Sequence, residues 1–148
     1  MKSDRLSRQS QRLLQFGTAL FVFTSFEGFA VEHLKVPRLG LSVHTLSAFS
    51  AVFFLTMGSV WPRLSLGPTA AAIAFWFTIY SDLATVAAYV LAALWGAGNS
   101  IMPLAAGTAH GSALQETVIK VVVSSAAPTG ITSFALVLWG LRTPSSRS

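Results

Sequence analysis

Pro37-Arg38-Leu39-Gly40-Leu41-Ser42-Val43-His44-Thr45-Leu46-Ser47-Ala48-Phe49-Ser50-Ala51 opens an apolar run that closes at Gly58-Ser59-Val60-Trp61-Pro62-Arg63. Proline and glycine make a turn, and about 20 mostly apolar residues follow, the length that crosses the hydrocarbon of a bilayer. One histidine, His44, sits in the first turns of that helix. An ionisable side chain in lipid is expensive and marks a functional site by default. Histidine is also the commonest metal ligand and an axial ligand of heme. The remaining chain reads as scaffold around this residue.

Composition points the same way. Hydrophobic residues make up 53% of the 148 and charged residues 10%, with a mean hydropathy of +0.63. Soluble domains carry about 25% charged residues, so most of this surface must face lipid. There is no Cys, which excludes disulfides, thiol catalysis and Cys-based metal sites. The net charge of +5 does not indicate nucleic acid, because the basic residues sit in tails and loops and form no stripe interleaved with aromatics. They report membrane orientation instead.

The sequence therefore predicts an all-α integral membrane four-helix bundle. A basic cytoplasmic tail occupies 1–12, a four-span domain 13–141 and a polar C-terminal tail 142–148. The charged start resembles that of a signal peptide, but the apolar run from Leu13 is too long for one and reads as an uncleaved first span. The spans fall at about 13–30, 41–61, 69–95 and 112–141, with Trp61 and Trp139 at interfaces. Four spans put both termini on one side together with Lys2, Arg5, Arg8, Arg12, Arg63, Arg142 and Arg147, against Lys35, Arg38 and Lys120 on the other. The positive-inside rule makes the shared side the cytoplasm, with the chain in a bacterial inner membrane.

Few residues can carry chemistry. His44 either hydrogen-bonds a neighbouring helix or ligates a cofactor, and it has no second His at i+3 or i+4 for a zinc site. Ser47, Ala48 and Ala51 lie within two turns of it, and small residues there admit either another helix or a cofactor. In span three Asp82 and Tyr89 share a face, as a proton relay, a substrate-positioning pair or simple helix–helix hydrogen bonds, while Tyr80 points elsewhere. Glu116 and Lys120 stand at i,i+4, which suits a structural ion pair as well as a catalytic one. His33 and His110 fall in loops, and Phe75-Trp76-Phe77 reads as lipid-facing. No nucleophile elbow, phosphate loop or dinucleotide fingerprint is present. The residues by themselves specify no reaction.

Their pattern is more informative. Pro37-Arg38-Leu39-Gly40-Leu41 followed by His44 resembles the corresponding stretch of hydroxylaminobenzene mutase. Gly58 with Trp61, Tyr80, Trp95-Gly96-Ala97-Gly98, Met102-Pro103 with Ala105, Gln115-Glu116 and Trp139-Gly140-Leu141-Arg142 agree in the same order. The mutases are similar in turn to the styrene oxide isomerases, also small four-helix membrane proteins.

The resemblance implies a membrane isomerase acting on a small apolar aromatic substrate that arrives through lipid. The mutase branch turns an N-aryl hydroxylamine into an aminophenol, and the other branch opens an aryl epoxide to an aldehyde. It further implies a homotrimer with heme b between subunits, held by His44 and flanked by Ser47, Ala48 and Ala51. The ferric iron serves as a Lewis acid, and Tyr80, Asp82, Tyr89, Ser50 or Glu116 position the substrate or move a proton. Two positions depart from the family pattern, Ser50 and Thr85, where it has Asn. They keep open a heme-binding protein without catalysis, and a small transporter subunit is the third class.

Overall fold

The computed structural model describes residues 2–142, with side chains from residue 4 onward. Its helices are α1 (Lys2–Ala30), α2 (Pro37–Val60), α3 (Pro68–Trp95), the short α4 (Pro103–Ala106) and α5 (Ala113–Gly140), with single 3₁₀ turns at Val31–His33 and Trp61–Arg63. Among the described residues there is no strand, and α1, α2, α3 and α5 are long and apolar enough to cross a membrane. A chain in lipid must satisfy its backbone polar groups internally, and the helix does so within one segment.

Local chemistry sets the boundaries. Proline begins α2, α3 and α4, where its missing N–H costs nothing. Gly96 ends α3 in the left-handed region at φ 69°, which favours glycine. Ser112 and Gln115 form a reciprocal capping box at the start of α5. Pro128 lies inside α5 without ending it, and Thr132 Oγ1 donates to the Pro128 carbonyl.

The first helix starts much earlier than residue 13. The basic segment expected to be a tail is helical from Lys2 and packs on the rest of the protein. Leu6 and Leu13 are buried, Ser10 Oγ donates to the Gly58 carbonyl at 2.6 Å, and Trp61 Nε1 donates to Gln9 Oε1 at 3.1 Å. Trp61 is consequently fully buried under α1. Phe75 is likewise core, edge-on to Trp61, while its neighbour Trp76 is exposed. Consecutive helical residues are turned about 100° apart, so the aromatic run could not face lipid throughout.

The helices pack as a row, with α1 on α2, α2 on α3 and α3 on α5; α1 and α5 make no extended contact. One apolar cluster, around Leu13, Phe54, Trp61 and Phe75, fills the end near the N-terminus. A second, around Leu39, Val43, Ala92 and Ile119, fills the opposite end. Ser65 N–H donates to the Gly140 carbonyl at 2.7 Å, which ties the α2–α3 connection to the end of α5. The N-terminus, this connection and the end of α5 therefore lie at one end of the molecule. Arg147 and most of the polar tail lie outside the described residues.

Candidate functional site

His44 stands on α2 facing α1. Its Nδ1 lies 3.2 Å from Glu27 Oε2, and the Glu27 side chain is only 8% exposed while that of His44 is 41% exposed. With Glu27 ionised its oxygens only accept, which makes Nδ1–H the donor and, in the neutral ring, leaves Nε2 its lone pair. Among the described residues Nε2 has no hydrogen-bond partner. The ring rests against Gly28, where a Cβ would meet Cε1 at 3.0 Å and Nδ1 at 3.2 Å. One turn deeper, Thr24 Oγ1 donates to Ser47 Oγ at 2.7 Å, and Ser47 Oγ donates to the His44 carbonyl at 3.2 Å. Ser47 and Ala51 are thus buried beneath α1 rather than lining an open groove, and Ala48 is half-buried beside them. Glu27 escaped the sequence reading. Its signal was an acidic residue near the far end of a membrane span, at i+3 from Thr24.

This donor set can be tested against the implied heme. Among the described residues no group of three His, Cys, Asp or Glu could cage a bare metal ion. A single imidazole suits an iron that brings its own equatorial ligands, and here it has its inner nitrogen held and its outer nitrogen bare at an exposed edge. The residues fit the group.

A second feature lies on the other side of α2. Ser50 follows His44 by six residues and is turned about 120° from it. It is fully buried, and among the described residues Ser50 Oγ and Asp82 Oδ2 have no hydrogen-bond partner beyond each other. Asp82, Ser81 and Thr85 give a polar end to a cavity of about 450 Å³ between α2, α3 and α5, with Phe49, Phe53 and Phe134 among its apolar walls. Tyr89 lines an adjoining groove with Arg38, and Leu46 and Phe49 are walls of both spaces. Tyr80 lies outside both: its hydroxyl is exposed and hydrogen-bonds Ser125 Oγ at 2.7 Å. One chain therefore brings Asp82, Ser50 and Tyr89 near each other but does not bring them to His44.

Glu116 belongs to neither place. It accepts backbone N–H from Gly98 at 2.9 Å, Ser100 at 3.1 Å and Gly111 at 3.0 Å. It clasps the segment between α3 and α5 rather than pairing with Lys120, which is exposed. His33 and His110 are exposed too. Hydrogen bonds to a charged acceptor contribute about 1.5–3 kcal/mol each. Glu116→Ala should therefore speed amide hydrogen exchange at Gly98, Ser100 and Gly111 by more than about tenfold. Unchanged exchange together with lost turnover would return Glu116 to the catalytic residues.

Comparison with known proteins identifies the family. The family model of styrene oxide isomerase matches residues 9–142. Hydroxylaminobenzene mutase HabB of Ectopseudomonas oleovorans is 41% identical over 138 residues, which cover 93% of this chain and 84% of the relative. Hydroxylaminobenzene mutase HabA of the same organism is 31% identical over 129 residues, covering 87% of this chain and 96% of the relative. No solved structure matches the chain. The match spans all four membrane helices, the His44 edge and the Asp82 cavity alike: the chain is an isomerase and belongs to the styrene oxide isomerase family.

Proposed function

We propose that this isomerase is heme b-dependent and rearranges N-aryl hydroxylamines to aminophenols by moving the hydroxyl group within one substrate. The observation that carries the heme is His44, with Nδ1 on a buried carboxylate and Nε2 bare at an exposed edge. The choice of reaction follows the two mutases, which resemble this chain over most of its length. When bound, ferric heme would supply a Lewis acid that polarises the heteroatom of the substrate.

The chain's own residues have distinct tasks. His44 Nε2 would hold the iron. The cavity of about 450 Å³ is large enough for an aromatic ring, with Phe49, Phe53 and Phe134 against its apolar body. Ser50 Oγ and Asp82 Oδ2, with no partner beyond each other among the described residues, are free to orient a hydroxylamine, and Asp82 is the group able to move a proton. Ser50 would thus take the place of the Asn of the family pattern. The apolar walls keep out water that would capture a cationic intermediate.

His44 and this cavity lie on different sides of α2, so the working unit we propose is a trimer in which the His44 edge of one copy meets the cavity of the next. Exposed Phe26, Leu41, Phe49 and Val52 provide apolar surface for such contacts. Both termini would face the cytoplasm of a bacterial inner membrane, because the basic residues of α1 and Arg63 share one end.

The test is turnover by the purified protein, with phenylhydroxylamine and styrene oxide assayed side by side and heme content measured on the same sample. Aminophenol should form faster than phenylacetaldehyde, and turnover should scale with bound heme. Faster conversion of styrene oxide would assign epoxide isomerisation instead. Full turnover in a heme-free preparation would remove heme from the mechanism.

A further inference from the structure

We propose that Glu27 is the positioning residue of His44: its carboxylate accepts Nδ1–H, fixes the tautomer and strengthens Nε2 as a donor to iron. This inference rests on the heme reading above.

A carboxylate near the far end of a membrane helix needs a reason to be there. The Glu27 side chain is more than nine-tenths buried, and Oε2 is 3.2 Å from His44 Nδ1. Its other oxygen, Oε1, is buried and has no partner. The acceptor strength of the group is therefore not shared with a second donor and falls on the imidazole.

Three further contacts hold that geometry. Gly28 lets the ring lie close to α1, and any side chain there would push against Cε1 and Nδ1. The Thr24–Ser47 hydrogen bond locks the same two helix faces one turn away. Ser47 in turn bonds the His44 carbonyl. Glu27 meets the Nδ1 edge of the ring, and Nε2 lies on the other edge of a side chain that is 41% exposed.

The chemical consequence concerns oxidation state. A metal-bound imidazole that donates its other N–H to a carboxylate becomes more basic. A more basic ligand favours the higher charge on iron. Glu27 would thereby hold the site ferric, the form that acts as a Lewis acid.

The test uses the full chain in mild detergent. In heme-loaded Glu27→Gln the amide oxygen still accepts Nδ1–H, so heme is retained. The ferric/ferrous midpoint potential should move positive, and the Fe–His stretching band of the ferrous form should fall in frequency. Glu27→Ala should move both in the same direction and weaken heme retention by about 10- to 100-fold, as loss of a hydrogen bond to a metal ligand does elsewhere. An unchanged potential and stretching band in both variants overturns the proposal.

If neither variant folds, the wild-type protein decides. In the heme-free chain, ¹⁵N NMR should find His44 protonated at Nδ1 and bare at Nε2; the opposite tautomer overturns the proposal. A wild-type protein that takes up no heme ends the heme reading, while the ¹⁵N spectrum still reads the Glu27–His44 hydrogen bond by itself.

Discussion

His44→Ala should remove the Soret band from the purified protein and abolish turnover. Nothing else among the described residues offers a ligand to replace it. His33 and His110 are exposed in connecting segments, and the described residues hold no cluster of three His, Cys, Asp or Glu able to bind a metal. Truncation to Ala has a second effect, because it leaves the buried Glu27 carboxylate without its donor. An orphaned buried acceptor costs about 1–3 kcal/mol, more when charged, so this variant should also be less stable. His44→Gln separates the two effects. Its amide can still donate to Glu27, so expression and thermal stability should stay near wild type while heme is lost. Absorbance at the Soret maximum, normalised to protein, checks both variants. A full Soret band in either one sinks His44 as the ligand.

Asp82→Asn should lower kcat by about 10²–10⁴-fold, the usual contribution of a positioned acid or base, and leave heme content unchanged. The substitution keeps the shape of the side chain and removes only its capacity to exchange a proton. Asp82 is suited to that task because Oδ2 is buried without a partner beside Ser50, at the polar end of the cavity between α2, α3 and α5. Tyr80 and Glu116 are committed elsewhere, to Ser125 and to three backbone amides. Steady-state kinetics at matched heme loading make the measurement. Turnover within about twofold of wild type would reduce Asp82 to a helix-packing residue.

Ser50 and Asp82 show how far residue types alone could be read. A polar residue in an apolar span announces that something must satisfy it, because lipid offers no hydrogen bonds. That signal marked Asp82, Tyr89 and Tyr80, while Ser50 entered through the resemblance to the family pattern. It did not distinguish Tyr80, which finds Ser125, from Asp82, which among the described residues finds no partner beyond Ser50. The distinction depends on which neighbouring helix each side chain meets, and helical periodicity gives directions without identifying neighbours.

The helices themselves were legible. Each of α1, α2, α3 and α5 carries an apolar run long enough for the bilayer, bounded by prolines at Pro37 and Pro68 or by turn residues. Only internal hydrogen bonding is permitted in lipid, so span length and breakers dictate the elements directly. His44 was legible too, as a lone ionisable group in the first turns of α2.

Tertiary structure alone decided the rest. It buried Ser47, Ala51 and Trp61 under a helix that runs back to Lys2, turned Glu116 toward the loop amides, and set Glu27 against His44. In a membrane no hydrophobic force drives one helix face against another, since lipid is as apolar as Leu. The register of α1 on α2 comes instead from specific contacts: Gly17 and Gly28 admitting close approach, Thr24 on Ser47, and Ser10 on Gly58. The two hydrogen bonds among them join residues 23 and 48 positions apart, and no local pattern in the chain encodes which pairs will meet.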